Sequence, residues 1–321
     1  MPGVWPSATR GYWTIHPLMS RSQRPALLVC MVCGTRAVVQ TACLYACYFG
    51  SYEQPVRAMA QIRAVQPEAR LIQTDDLDYV HSTPGLQYQA DFKNARRWLT
   101  WDLLCGRVMP DHDLWAYLRG AGATDHELWY HVEKPCPPSV VGINHYVTSE
   151  RYLYESLNAH KTRTHTTIGG HRYVDTEVVR AAPEQRMGVG NLLLQTWERY
   201  GLPLVVTEAH LGDRVDEQKR WLGEVWQQAG MARLAGADVR AVTVWALLGL
   251  YDWHCLLTRR DDLHEPGAFD VRSGRTEPTG LADMIRLFAA GHPVASLIPP
   301  GRGWWQANEA SLQPSSGLVV F

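Results

Sequence analysis

Four apolar runs in this 321-residue chain end abruptly in side chains capable of chemistry. RLIQ passes into Thr74, Asp75 and Asp76, VVGI into Asn144, His145 and Tyr146, and LVV into Thr207, Glu208 and His210. The last run carries Trp245, followed by Tyr251, Asp252 and Trp253. Carboxylates and imidazoles can transfer protons or attack an electrophile, and Trp and Tyr faces stack on sugars, flat ligands or partner surfaces. With 13 Trp and 14 Tyr against 5 Phe, the chain favours aromatics of this amphipathic kind. A lone Glu after a strand is an ordinary solvated loop carboxylate, so Glu208 gains meaning only from its neighbours. Asp75 and Asp76 read as residues that cap or solvate the strand end, with Asp75 also kept as a poor substitute acid, and His210 as a structural or rim histidine.

The elements that would position these residues alternate. A helix over 57–66 leads into the strand RLIQT, and amphipathic helices over 91–106 and 124–134 precede the strand at 140–147. The PCPP at 135–138 stops the second of these helices. A polar, His-rich loop is expected from about 155 to 175. A helix at 188–200 then ends at Gly201, before LPLVV, and a helix at 216–236 feeds the strand at 241–248. Apolar strands alternating with helices imply parallel β/α units, and polar residues gathered at the strand C-termini mark the catalytic edge of a β/α barrel. An open nucleotide-binding sheet would show a Gly-rich turn; neither GxGxxG nor GxxxxGK occurs, and no cofactor is expected. The four strands begin near residues 71, 140, 204 and 241. Eight units so spaced would need on the order of 450 residues, so the expected fold is α/β, a partial TIM (β/α)8 barrel of four to five units.

Composition narrows the class further. Hydrophobic residues at 46%, charged residues at 20% and a net charge of -1 describe a folded, nearly neutral chain, not a disordered or nucleic-acid-coating one. Seven Cys without regular spacing argue against a disulfide framework and for a reducing, cytoplasmic setting. Cys30 and Cys33 form a CxxC, with Cys43 and Cys47 at helical spacing, but no matching His pair lies nearby, so no metal site is expected. Residues 26–49 are apolar enough to raise a membrane anchor, yet Thr35, Arg36, Gln40 and Thr41 interrupt them and none is expected.

Three ordered motifs resemble the family 1 glycoside hydrolases, the retaining β-glucosidase family of (β/α)8 barrels. GINHY at 142–146 is similar to that family's GINYY, TEAH at 207–210 to its TENG, and WALLGLYDW at 245–253 to its WSLLDNFEW. PGAFDVRSGRTEPTGLADMI at 266–285 resembles its closing segment. The resemblance covers about residues 57–290. It implies that Glu208 is the catalytic nucleophile, Tyr146 the tyrosine that keeps it ionised, and Asn144 a neighbour of the sugar 2-hydroxyl. It also implies that Trp245 is the stacking platform, with Asp252 and Trp253 gripping the far hydroxyls. Asp252 is one methylene shorter than the family's Glu, and Ala209 and His210 replace the family's Asn and Gly, which leaves substrate preference open.

No NEP motif, the family's acid/base signature, occurs in the chain, and the family's first two strands have no counterpart. The expectation is therefore a β-glycosidase-like chain, truncated and weak or inactive, acting on β-glycosides. The alternative is a non-catalytic carbohydrate-binding or regulatory module. Three segments are expected: an atypical Cys-rich part at 1–50, the partial barrel at 51–295, and a linker and tail at 296–321. Open sheet edges would call for residues 1–50 as a cover, a second copy of the chain, or the missing barrel half. The apolar tail Leu318 to Phe321 is similar to the start of a Rossmann strand, as in longer relatives fused to a dTDP-4-dehydrorhamnose reductase-like domain.

Overall fold

The computed structural model describes residues 28–32, 41–157, 164–167, 169–255 and 259–306, with side chains from residue 53 onward. The thiols of Cys30, Cys33, Cys43 and Cys47 and the tail at 318–321 lie outside the described residues. In chain order the first half comprises β1 (Leu28–Val32), α1 (Thr41–Val65), β2 (Arg70–Asp76), β3 (Tyr79–Ser82), α2 (Gln87–Arg96), α3 (Leu99–Leu104), α4 (Trp115–Gly120), α5 (Asp125–Glu133) and β4 (Val140–Asn144). There follow β5 (Glu150–Tyr154), β6 (Thr164–Thr166), β7 (Arg172–Glu177), α6 (Val178–Ala181), α7 (Gly188–Tyr200), β8 (Leu204–Ala209), α8 (Val215–Leu234) and β9 (Val239–Val244). The last elements are the short strands β10 (Leu250–Tyr251), β11 (His264–Glu265), β12 (Phe269–Asp270) and β13 (Glu277–Pro278), and α9 (Gly280–Ala289).

The principal sheet has the order β1-β2-β4-β8-β9, and every pair in it is parallel. A doubly wound sheet reverses its strand order at a switch point. Here the order in space follows the order in the chain, which makes the sheet a section of a β/α barrel. The helices between strands have legible boundaries. Thr124 caps α5, its hydroxyl accepting from Glu127 N at 3.2 Å while the Glu127 carboxylate accepts from Thr124 N at 2.8 Å. Gly201, with φ of 62°, ends α7 in the left-handed region and turns the chain into β8.

Three expectations need correction. The segment read as a polar loop at 155–175 supplies β6 and β7, which join β3 and β5 in a second sheet of order β3-β5-β7-β6. β6 is three polar, largely solvent-facing residues, and β7, though mostly buried, reads RYVDTE, so neither shows the apolar run that marks the strands of the principal sheet. The helix expected over 91–106 is two helices, α2 and α3, broken at Arg97 and Trp98, where the Arg97 guanidinium lies 4.4 Å from the Trp98 ring. Residues 304–306, assigned to a linker, pack into the core: Trp305 is buried at 5.5 Å from the Trp221 ring and donates to Glu224 Oε2 at 2.7 Å. The proposed boundary at residue 50 falls within α1. No helix among the described residues is long and apolar enough to cross a membrane.

The core is lopsided in the way a barrel section demands. Val141, Ile143, Leu204, Val206 and Val242 of the sheet pack with Leu192, Leu193, Leu222, Val225 and Phe288 of the helices in one large cluster. On the other face Ile72, Val140, Val205 and Ala241 form a small cluster of their own. Each fully buried side chain of this kind contributes about 1.5–3 kcal/mol, so the outer layer dominates the stability that holds the strand ends in place.

A buried carboxylate ties that outer layer together. Asp102 of α3, fully buried, accepts from Arg199 Nη2 at 2.6 Å, Tyr200 Oη at 2.9 Å and His112 Nε2 at 3.2 Å. Burial works to raise its pKa, but the hydrogen bonds from His112 and Arg199 outweigh it and hold the carboxyl below the usual range. This stabilisation is present above the unfolded carboxyl pKa and is lost as pH falls through the depressed folded value. Asp102→Ala should cost about 3–5 kcal/mol, because Arg199 keeps its charge without a partner. Urea denaturation of both forms at pH 7 and pH 3 checks this, with the difference expected to shrink at the lower pH.

Candidate active site

The C-terminal edge of the principal sheet is shaped by one irregularity. Along β4 and β8 the pairing runs Val141 with Leu204, Gly142 with Val205 and Ile143 with Val206, then slips by one so that Asn144 faces Glu208. The extra residue, Thr207, forms a bulge, and its hydroxyl donates to Asn144 Oδ1 at 2.7 Å. Without the slip, alternation would put Glu208 on the helix side of the sheet, next to Val206 in phase. Gly142 makes room for the arrangement: a Cβ there would lie 2.6 Å from Thr74 Cγ2 and 2.9 Å from Thr207 Cγ2.

Tyr146 is fixed by the turn that follows β4. Its backbone N donates to Ser149 Oγ at 2.9 Å, and Ser149 N donates to the Tyr146 carbonyl at 3.0 Å. From this anchor the Tyr146 hydroxyl donates to Glu208 Oε2. Burial raises the pKa of the Glu208 carboxyl; the Tyr146 hydrogen bond pulls it down, Asp76 adds to the rise, and His210 works against it. The balance leaves Glu208 above the ordinary glutamate range. The Tyr146 ring meets Trp245 edge-on at 6.4 Å, and Trp245 meets Trp253 at 4.8 Å. Glu208, Tyr146, Asn144, Trp245 and Trp253 thus come together from three strands.

Asp252 is placed differently. It is buried, has a φ of 54°, and accepts backbone hydrogen bonds from Asp262 N at 3.2 Å and Leu263 N at 2.9 Å. Its carboxylate holds the loop between β10 and β11. His210, read as a structural or rim histidine, takes the structural role: it is buried and bridges two elements, with Nδ1 2.7 Å from the Trp245 carbonyl and Nε2 2.7 Å from Glu265 Oε2. Its ring stands at 90° to Trp245, 5.6 Å away. Glu265, Ser149 and the Thr207 bulge were not legible beforehand. A His–Glu contact across 55 residues has no spacing signature, and a bulge leaves none in a six-residue strand.

The two aspartates at the end of β2 point in opposite directions. Asp75 is in register with Ile143, a residue of the outer core, and takes a hydrogen bond from Thr100 Oγ1 of α3. Asp76 is in register with Asn144 and shares its face. Asp75, the one kept as a substitute acid, is therefore turned away from Glu208. Among the described residues one group, His254, Cys255 and Asp261, has potential metal-ligand atoms within 4.8 Å of one another. Asp261 already accepts from Arg259 Nε at 2.7 Å and contacts His254 Nε2 at 2.8 Å. A guanidinium on the sole carboxylate suits a loop clasp and opposes a bound cation.

Comparison with known proteins places this geometry. No protein-family model matches the chain. A β-galactosidase of Sulfolobus acidocaldarius is 39% identical over 67 residues, 21% of this chain and 14% of that protein. The β-glucosidase of Thermotoga maritima in complex with galacto-hydroximolactam superposes with a TM-score of 0.59 at 13% identity, covering 79% of this chain and 58% of that one. The AHE enzyme of Alicyclobacillus herbarius does so with a TM-score of 0.56 at 16% identity, covering 77% and 57%. The fold is β-glucosidase-like, and the chain spans a little over half the length of these structures.

The opposed aspartates generate a pH prediction. Burial against α3 pushes the Asp75 carboxyl up to about 7. The folded chain then keeps a proton that the unfolded chain has lost, so stability should fall as pH rises from about 4 to about 7 and then level. Asp75→Asn should remove that fall, a gain on the order of 4 kcal/mol at pH 8. Thermal melts of the two proteins between pH 4 and pH 8 measure it.

Proposed function

We propose that this chain is β-glycosidase-like in action, with Glu208 the carboxylate that attacks the anomeric carbon of a β-glycoside. The observation that carries this reading is the hydrogen bond from Tyr146 to Glu208 at the strand edge of a β-glucosidase-like fold. A retaining glycosidase needs an ionised carboxylate beneath the anomeric carbon and a donor that keeps it so. Trp245 and Trp253 supply apolar faces for a pyranose, and Asn144 lies beside Glu208 where the 2-hydroxyl would sit. Asp252 contributes by holding the loop that carries Trp253. The chain has no NEP motif, so the proton for the leaving group, a contribution of ~10²- to 10⁴-fold, has to come from a carboxyl outside that motif. We place the protein in the cytoplasm.

A 2,4-dinitrophenyl 2-deoxy-2-fluoro-β-glucoside tests the reading directly. Its leaving group departs without protonation, and the fluorine slows hydrolysis of the glycosyl intermediate. Mass spectrometry should find the sugar on the peptide that contains Glu208, and Glu208→Gln should take up none while its stability stays within about 1 kcal/mol. A carbohydrate-binding module would remain unlabelled.

The pH profile offers a second check. Because the Glu208 carboxyl is raised, the acidic limb of the labelling rate should lie above pH 4.5. Tyr146→Phe removes the hydrogen bond that favours the ionised form, so the limb should move further upward and labelling at pH 5 should slow about tenfold.

A further inference from the structure

We propose that Asp76 is the second carboxyl of this pocket, the group that protonates the departing glycosidic oxygen and then deprotonates water. The assignment rests on the glycosidase reading of Glu208 and adds a residue to it.

Three observations point to Asp76. Pairing runs from Asp76 on β2 to Asn144 on β4 and on to Glu208 on β8, which puts the three residues side by side along one edge. Parallel neighbours in register share a face, and alternation sends Asp75 to the other side, where Thr100 holds it. Asp76 also lies close enough to Glu208 for its charge to contribute to the upward displacement of the Glu208 carboxyl. Two carboxylates facing one pocket favour the state in which the pair retains one proton. Finally, no Asp or Glu occurs before Glu53, so neither β1 nor the Cys33-Gly34-Thr35-Arg36 stretch after it offers a competing acid.

The spacing fits the chemistry. Strands lie ~4.8 Å apart, so backbones two strands apart are separated by ~9.6 Å. Side chains that point into a barrel converge, which shortens that separation toward the ~5–5.5 Å at which retaining pairs operate. Asn144 occupies the strand between them with Oδ1 already engaged by Thr207. In the first step a Glu208 oxygen donates its electron pair to the anomeric carbon. The bond from that carbon to the aglycone oxygen breaks, and the oxygen keeps the pair and takes the Asp76 proton. In the second step the Asp76 carboxylate takes a proton from water. The water oxygen bonds to the anomeric carbon, and the electron pair of the broken ester bond returns to Glu208.

Leaving-group dependence in Asp76→Asn tests this on the full chain. The variant should label at Glu208 with the dinitrophenyl fluoroglucoside within about threefold of the wild-type rate, which also shows that it is folded. Its kcat/KM for methyl β-glucoside, whose leaving group must be protonated, should fall ~10²- to 10⁴-fold. Azide, a nucleophile that needs no base, should accelerate turnover of 2,4-dinitrophenyl β-glucoside by the variant and give the β-glucosyl azide. Asp75→Asn, altered on the opposite face, should show neither effect. Equal losses on both substrates, loss of labelling, or no loss on the methyl glycoside would overturn the role of Asp76 and leave that of Glu208 standing. A wild-type chain that is not labelled would overturn both.

Discussion

The slip of one residue between β4 and β8 is the constraint on which the rest of the site depends. Outer-face residues of the two strands, Ile143 and Val206, are locked in phase by the helices that cover them. That phase would carry Glu208 into the helix layer, where an unpaired carboxylate costs several kcal/mol. The bulge at Thr207 reverses the phase at the last step and delivers Glu208 to the inner face beside Asn144, within reach of Tyr146. The apolar packing of the sheet and the polar chemistry of its edge are reconciled at this one residue.

Around that point the molecule invests in rigidity. Ser149 closes the turn that aims Tyr146, and Asp252 closes the loop that carries Trp253. Gly267 permits the return strand to approach Trp245: a Cβ there would lie 2.2 Å from Gly249 N and 2.4 Å from the Ala246 carbonyl. The second sheet grows from the same edge, since β3 starts two residues beyond β2 and β5 five residues beyond β4. Polar loops thereby gain a scaffold of their own, and hydrogen-bonded loops hold a reacting geometry better than free ones.

Much of this was legible from the sequence where burial writes a pattern. Fully buried parallel strands appear as apolar runs, so β2, β4, β8 and β9 were readable, as were α5 and α7 with their stops, and α8. The residues following each run announced the edge. What could not be read was phase and partnership. Asp75 and Asp76 are equivalent in the sequence, and only the register with Ile143 and Asn144 separates them. The strand β6 is too short and exposed to differ from loop, β7 carries charged and polar residues where an apolar run would mark a strand, and Glu265 is brought to His210 by the fold alone.

The His210 bridge has a consequence for how such a site can change over generations. Both ring nitrogens are engaged, one with the Trp245 carbonyl and the other with the Glu265 carboxylate. Gly212 belongs to the same unit, because a Cβ at that position would come within 2.6 Å of the Glu265 carboxylate. Loss of His210 strands a buried acid, loss of Glu265 strands a polarised ring, and a side chain at residue 212 displaces the acid. The three positions form an epistatic lock, crossed by concerted replacement more readily than by single steps, and the Trp245 carbonyl is held by it.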